Sequence, residues 1–225
     1  MVIASPLANK GAILSIMQPI SRREFWHALG ALILVIFLQL TISSKLRVGS
    51  NHLIAGLEII LVLAIGFTAP RRHHSTPRIN RSISYVLIAL ISIANAGALF
   101  LLTRALLKGA DIPGQELLRG ALAIFLTNVI VFGLWFWELD SPGLSGRRQR
   151  GRAKHFQFPQ DVNRDSAWRP TFFDYLYTAL TNGTAFSPTD TLPLTHAAKS
   201  LMSVQSLISL ITVVLVTARA VNILA

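Results

Sequence analysis

The chain has 225 residues, of which 52% are hydrophobic and only 14% are charged, and its formal net charge is +11. A soluble domain carries about a quarter charged residues, so this composition excludes an ordinary soluble protein and predicts an all-α membrane protein. Cysteine is absent, which excludes disulfides, thiolate metal ligands and thiol catalysis.

Five apolar runs are long enough to cross a bilayer, which takes about 20 apolar residues for roughly 30 Å of hydrocarbon. All five are predicted to be transmembrane helices, because backbone polar groups in lipid must pair within their own segment. Residues 1–24 are predicted to be a cytoplasmic N-terminal segment, and residues 25–107 to hold the first three helices. In chain order, the runs are 25–42, 52–69, 82–103, 117–137 and 201–224.

Lysine and arginine are distributed unevenly between the two sides of these runs. Fourteen lie in the N-terminal segment and in loops 71–81 and 138–170, against five on the other side. Cytoplasmic loops carry the excess of positive charge, so the N-terminus is predicted to be cytoplasmic in a bacterial inner (plasma) membrane. The run RRQRGRAK at 147–154 is interpreted as a topology anchor, with an anionic-lipid or nucleic-acid patch as the less favoured alternative. The lipid bilayer is the expected partner, and nucleic acid is not.

Four polar side chains inside the predicted spans are candidate intramembrane sites, since such groups are costly in lipid. Glu58 is either a functional carboxylate with Arg104 as a candidate partner, or a protonated or salt-bridged structural acid. Asn95 and Asn128 are expected to form hydrogen bonds between helices rather than to contact ions. The fourth candidate is Gln205.

Gln205 shares one face of the last predicted helix with Ser209 and Thr212, at spacings of four and three residues. This face is predicted either to line a pore or to hold Thr181 and Asn182 of the preceding segment.

The stretch before the last apolar run is neither a full span nor an ordinary loop. Residues 171–182 repeat apolar side chains at three- and four-residue spacing, which predicts a helix too short to cross the bilayer. The Asn182-Gly183 pair predicts that this helix breaks there, and a polar loop is expected over 183–192. Irregular backbone at membrane depth is tolerated only where protein buries it or where it lines a watery cavity. The prediction is therefore a short re-entrant hairpin.

The last helix is predicted over residues 196–224. Asp190 or Thr191 is a candidate N-cap for it, because short oxygen-bearing side chains accept from the first free N–H groups of a helix. The alternative role of Asp190 is a cation ligand or a pore-mouth acid.

The run FFDYLYTALTNGTAFSPTD at 172–190, followed by the last helix, resembles the pore module of the potassium-channel superfamily. That resemblance covers residues 117–225 and implies an outer helix, a basic loop over 138–170, a pore helix, a filter loop and an inner helix. The motifs W-E-L-D at 137–140, F-P-Q at 158–160 and T-N-x-T-A-F-S-P-T-D-T also resemble a bacterial family of multi-pass membrane proteins of unknown function. Glu138 and Asp140 of W-E-L-D are expected to pair with nearby arginines.

The resemblance aligns residues 181–185 with the potassium filter. Ala185 replaces the second filter glycine, so potassium selectivity is not expected. The charge distribution also places the hairpin entrance in the cytoplasm, whereas a potassium-channel pore loop faces outside. Three interpretations stay open: the hairpin is inverted, residues 171–190 cross the membrane as a further span, or the charge count does not report the orientation. The pore-loop candidates are Thr181, Asn182, Gly183, Thr184, Ser187, Thr189 and Asp190.

Together these features predict a channel-like permeation module for small ions, built by a homo-oligomer. The alternative is a structural or accessory subunit of a membrane complex whose hairpin is packed shut. The sequence contains no nucleophile motif, no dinucleotide fingerprint and no metal-ligand pattern, so neither enzyme activity nor a cofactor or metal is predicted.

Overall fold

The computed structural model describes residues 17–19, 22–42, 46, 56–60, 62–63, 77–108, 112–140, 147–149, 154–162, 168–185, 187 and 190–224. The protein is mostly helical. Within these residues, the helices are α1 (Arg22–Thr41), α2 (Pro77–Leu107), α3 (Gly114–Asp140), α4 (Pro159–Val162), α5 (Phe172–Thr184) and α6 (His196–Leu224).

Four helices are long and apolar enough to cross a membrane, which supports a membrane protein. They overlap the first, third, fourth and fifth predicted runs. The second run, 52–69, is described only at residues 56–60 and 62–63, which are helical. The rest of that run lies outside the described residues, so the count of five spans stays a prediction. The four helical segments are Arg23–Thr41, Ser82–Leu107, Gly114–Asp140 and His196–Ala218.

Helix α3 is the centre of the bundle. It packs against α1, α2, α5 and α6. In an 18-residue apolar stretch of α3, 72% of the residues are buried, against 22% in such a stretch of α6. Such a difference means that α3 is surrounded by protein, while most of α6 faces outward.

Two hydrophobic clusters divide the bundle along α3. One contains Phe132 and Trp137 from the second half of α3, and the other contains Leu117 and Ile124 from its first half. We refer to the corresponding ends of the bundle as the Asp140 end and the Gly114 end, after the last and first residues of α3.

Helices α1, α2 and α6 all begin at the Asp140 end and therefore run antiparallel to α3. In each of them, an early residue belongs to or packs on the cluster at the Asp140 end, and a late residue does the same at the Gly114 end. These pairs of residues are Phe25 and Ile42, which directly follows α1, Leu87 and Leu102 in α2, and Met202 and Leu215 in α6.

Two short antiparallel ribbons interrupt the regions expected to be loops. Strand β1 (Met17–Pro19) pairs with β2 (Arg147–Gln149), so the N-terminal segment joins the basic run. Strand β3 (Phe156–Gln157) pairs with β4 (Leu192–Pro193), which lies directly before α6. The fold is thus not purely helical, although the strands are only two or three residues long.

Candidate functional site

The short helix α5 runs from the end of α3 to its middle. At its start, the ring of Phe172 lies 5.3 Å from that of Trp137, centroid to centroid. At its end, a methyl group placed on Gly183 would lie 3.7 Å from Cγ2 of Val129. Helix α5 is therefore antiparallel to α3 and ends beside the midpoint of that helix.

After α5 the chain returns to the end from which it came. The hydroxyls of Thr178 and Thr191 lie 3.3 Å apart, and the following strand β4 pairs with β3. The N–H of Leu194 donates to the carbonyl of His155 at 2.8 Å. The described residues between 172 and 193 thus lie in two arms that both reach the Asp140 end, and we call the segment 172–193 the hairpin.

A local capping arrangement starts α5. The carboxylate of Asp174 accepts from the N–H of Thr171 at 2.7 Å and from the hydroxyl of Thr171 at 2.8 Å. Since the first N–H groups of a helix have no partner within it, this reciprocal arrangement stabilises the start of α5.

Helix α5 continues two residues beyond its predicted end. Gly183 and Thr184 are helical, and the N–H of Ala185 donates to the carbonyl of Thr181 at 2.9 Å. A methyl group on Gly183 would lie 3.0 Å from Oγ of Ser209. The glycine therefore permits a close approach between α5 and α6. The helix break predicted at the Asn182-Gly183 pair does not occur.

Asn182 and Gln205 connect α5 to α6 by hydrogen bonds. The amide of Asn182 donates to Oε1 of Gln205 at 2.9 Å and to the carbonyl of Met202 at 3.0 Å. The amide of Gln205 donates in turn to the carbonyl of Ala179 at 2.7 Å. Asn182 is 4% exposed and Gln205 is fully buried, so these bonds lie in the interior, where a lost partner is costly.

Asn128 extends this network to α3. Its amide donates to Oγ of Ser209 at 2.9 Å and to the carbonyl of Gln205 at 3.4 Å. From α2, the amide of Asn95 donates to the carbonyl of Ile124 in α3 at 3.3 Å. Both asparagines therefore join neighbouring helices, and the face of α6 that carries Gln205 and Ser209 is turned toward the hairpin and α3.

The remaining hairpin candidates are placed differently. The hydroxyls of Thr181 and Thr184 donate within α5, to the carbonyls of Tyr177 and Leu180. Thr184, Ser187 and Asp190 are exposed, whereas Thr189 lies outside the described residues.

The expected N-cap of the last helix is wrong. Helix α6 begins at His196, and the N–H of Ala198 donates to the hydroxyl of Thr195 at 3.3 Å. Thr195 is thus the capping residue, and Asp190 lies five residues earlier in an exposed turn.

Glu58 contacts α1 and not Arg104. The amide of Gln39, in the orientation that brings its nitrogen to the carboxylate, donates to both oxygens of Glu58 at 3.2 and 3.0 Å. Glu58 is fully buried, while the side chain of Arg104 is exposed. The proposed Glu58–Arg104 pair is therefore wrong.

Asp140 connects the two sides of the hairpin where it begins and ends, at the Asp140 end of the bundle. Its Oδ1 accepts from the N–H groups of His155 at 2.5 Å and Phe156 at 3.2 Å, and its Oδ2 accepts from the hydroxyl of Tyr175 at 2.7 Å. One carboxylate thus connects α3, β3 and α5. Sequence reasoning had assigned Asp140 to an arginine, and the only local signal for its actual role is its place at the end of a span.

Aromatic rings surround this carboxylate on the side of the core. The ring of Tyr175 meets that of Phe156 at 6.1 Å and that of Phe158 at 5.3 Å, both edge to face. Phe158 also contacts Trp168 at 5.6 Å. The W-E-L-D and F-P-Q motifs, 18 residues apart in the chain, therefore meet around Tyr175.

Leucine at position 182 or 205 is expected to destabilise the protein by about 1–2 kcal/mol, because each change leaves buried polar partners without a bond. The double variant Asn182→Leu/Gln205→Leu should cost less than the sum of the two single changes, since the shared bond is lost only once. Unfolding by denaturing detergent from mixed micelles measures this coupling.

Thr184→Val is the matched control for that cycle, because among the described residues the Thr184 hydroxyl bonds only to its own helix. Additive effects of the two leucine substitutions would contradict the Asn182–Gln205 bond.

Comparisons with protein-family models, with curated proteins and with solved structures find no match to this chain. Among the described residues, no three His, Asp or Glu side chains are grouped as metal ligands.

Proposed function

We propose that this protein is a channel-like permeation module for small ions in the bacterial inner membrane, with five spans and the hairpin re-entering from the Asp140 end. One observation carries this proposal. The hairpin has a tip with the exposed polar residues Thr184, Ser187 and Asp190, and α5 ends there beside the middle of a membrane-length helix.

The directions of the helices support five spans. Helices α1 and α2 both begin at the Asp140 end, so the chain between them has to return across the bundle. Two residues of the helical stretches 56–60 and 62–63 fit that path. Glu58 contacts Gln39 near the last turn of α1, and Val62 belongs to the cluster at the Asp140 end.

The length of α5 supports a re-entrant hairpin. Its 13 residues extend about 20 Å at 1.5 Å per residue, short of the roughly 30 Å of hydrocarbon. Thr184, Ser187 and Asp190, at and beyond its end, are exposed on the single chain. Because irregular polar backbone is not stable against lipid, water or a neighbouring protein must cover this tip.

A homo-oligomer that encloses water would cover the tip in both ways, with water on one side and neighbouring protomers on the other. The proposed lining consists of Thr184, Ser187 and Asp190, because Asn182 and Gly183 are buried within the protomer. Exposed apolar side chains lie along α5, from Phe173 at its start through Tyr177 to Leu180 near the tip. Neighbouring protomers or lipid would cover these side chains.

The charge distribution orients the proposed module. Both ribbons and the beginnings of α1, α2 and α6 lie at the Asp140 end, and the basic segments of the sequence come directly before α1 and α2 and directly after α3. The excess of lysine and arginine places this end in the cytoplasm. Ions would therefore meet the hairpin from inside the cell, and Asp190, repeated around an oligomer, would form a ring of negative charge that favours cations.

Asp190→Asn is expected to reduce cation flux several-fold and to shift the reversal potential away from that of the cation, because the ring loses its charge. Flux and reversal potential are measured on purified oligomer in liposomes. Asp161→Asn is the matched control, since Asp161 lies at the same end but pairs with Lys154 outside the hairpin. A monomeric protein that leaves liposomes tight to ions at every applied potential would contradict the proposal.

The second candidate function is a structural or accessory membrane subunit with a closed hairpin. The burial of Asn182 and the close contact of Gly183 with Ser209 favour it, because these residues hold the hairpin shut against α6. Co-purification of the chain with a larger complex from native membranes would support this candidate. A stable isolated oligomer would weaken it.

A further inference from the structure

Three buried polar atoms near the middle of α3 have no hydrogen-bond partner among the described residues. They are Oδ1 of Asn95, Oγ1 of Thr127 and Oδ1 of Asn128. The exposed fractions of these residues are 4%, 0% and 1%. Buried polar atoms in native proteins are almost always paired, so an orphaned atom indicates a bound water or another ligand.

The orientation of both asparagine amides is determined by their neighbours. Asn95 faces the carbonyl of Ile124 at 3.3 Å, and Asn128 faces the carbonyl of Gln205 at 3.4 Å. A carbonyl only accepts, so the amide nitrogen must point toward it in each case. The two amide oxygens consequently point away from these contacts and require a donor.

Thr127 differs from other buried threonines in the helices. The hydroxyl of Thr178 donates to the carbonyl of Asp174 at 2.9 Å, and that of Thr212 donates to the carbonyl of Ile208 at 2.7 Å. Each of these bonds reaches back four residues within the helix. The hydroxyl of Thr127 makes no such bond in the described part of the chain and is free to donate and accept elsewhere.

The three residues lie at the same level of the bundle. Asn95 contacts the carbonyl of Ile124, and Thr127 and Asn128 follow Ile124 within about one helical turn. Successive side chains are about 100° apart around a helix axis. Relative to the side chain of Ile124, that of Thr127 is therefore rotated roughly 60° in one direction and that of Asn128 roughly 40° in the other. Both positions flank the place where Asn95 meets α3.

We propose that Asn95, Thr127 and Asn128 form a hydration site that binds water inside the protomer. A water molecule has two donors for the two amide oxygens and can accept from the Thr127 hydroxyl. A buried water typically makes about three hydrogen bonds, which matches this set. A cation fits less well, because three neutral oxygens without a carboxylate do not replace its hydration shell in a low-dielectric interior. The site lies within one chain and does not depend on the proposed pore.

Thr127→Val tests the site through stability. Valine keeps the shape of the side chain but removes the hydroxyl, so loss of a bound water should lower the melting temperature. Thr212→Val is the matched control, since it removes a bond within one helix. The proposal predicts a larger decrease for Thr127→Val than for Thr212→Val. An equal decrease, or an increase in melting temperature, would overturn it.

A high-resolution structure of the wild-type protein in lipid nanodiscs provides the direct measurement. The proposal predicts density within hydrogen-bond distance of at least two of the three oxygens, and its loss in Thr127→Val. Absence of such density would overturn the site. Replacement of the density by thallium(I), detected by its anomalous signal in crystals, would overturn water as the ligand and indicate a monovalent cation.

Discussion

Asp140→Ala is expected to lower the free energy of unfolding by roughly 2–4 kcal/mol, because it leaves three donors without their common acceptor. Two of these donors are the backbone N–H groups of His155 and Phe156, and the third is the hydroxyl of Tyr175. Phe156 and Tyr175 are fully buried, so water replaces these bonds poorly. Detergent-induced unfolding and thermal melting of the purified protein measure the effect.

Two milder substitutions separate the individual contacts of Asp140. Tyr175→Phe removes only one hydroxyl and is expected to cost about 1 kcal/mol. Asp140→Asn keeps an oxygen for the two backbone donors and is expected to lie between wild type and Asp140→Ala. If Asp140→Ala were no less stable than Tyr175→Phe, the carboxylate would not hold the ribbon and α5 together.

Loss of this contact should also loosen the hairpin. Both arms of the hairpin are attached at the Asp140 end, through Tyr175 on one arm and the β3–β4 pairing on the other. A single cysteine at Ser187 is therefore expected to react faster with a water-soluble thiol reagent in Asp140→Ala than in the wild type. The absence of native cysteines makes this comparison direct.

Gly133→Ala is expected to destabilise the protein by about 1–3 kcal/mol, because α3 and α5 touch at this position. A methyl group on Gly133 would lie 3.1 Å from Cα of Leu176 and 3.5 Å from its backbone nitrogen. Backbone atoms cannot rotate aside, so the two helices must separate. Separation would also shift Tyr175, which directly precedes Leu176, away from Asp140. Thermal melting measures the loss of stability.

Gly30→Ala is the matched control for this substitution. Gly30 lies in α1, and a methyl group there would meet nothing within 4 Å. Because alanine is the better helix former, this change is expected to leave stability unchanged or to raise it by up to about 1 kcal/mol. A melting temperature of Gly133→Ala equal to that of Gly30→Ala would show that α3 and α5 are not in close contact.

The two substitutions act on the same structural unit from different sides. Asp140 attaches the hairpin at its mouth, and Gly133 lets α5 lie close to α3 one or two turns further in. The polar network of Asn182, Gln205 and Asn128 then holds the tip. A conducting or a purely structural hairpin would need all three attachments, because a short helix has little stability of its own.

Long helices were the part of the fold most accessible from the sequence. Apolar runs of about 20 residues allow only a helix in lipid, since the backbone must satisfy its own polar groups. Four of the predicted runs correspond to membrane-length helices. The short helix before α6 was also indicated by its apolar spacing, although its end was placed two residues early.

The end of α5 illustrates how tertiary contact overrides local preference. An Asn-Gly pair ordinarily favours a turn. Here Asn182 donates to Gln205, and the missing side chain of Gly183 lets α6 approach. Both residues therefore stabilise the packing of α5 against α6, and this role cannot be recognised from the neighbouring residues in the sequence.

The sequence by itself determined the class of the protein, the helical character of its long apolar runs and their expected orientation. These properties follow from composition, periodicity and charge, which are local. Only the tertiary structure decided that Asp140 binds the hairpin, that Glu58 faces Gln39, and that Asn182 is buried inside the protomer. Each of these contacts joins residues many positions apart, and a hydrogen bond depends on distance and direction in space rather than on spacing along the chain.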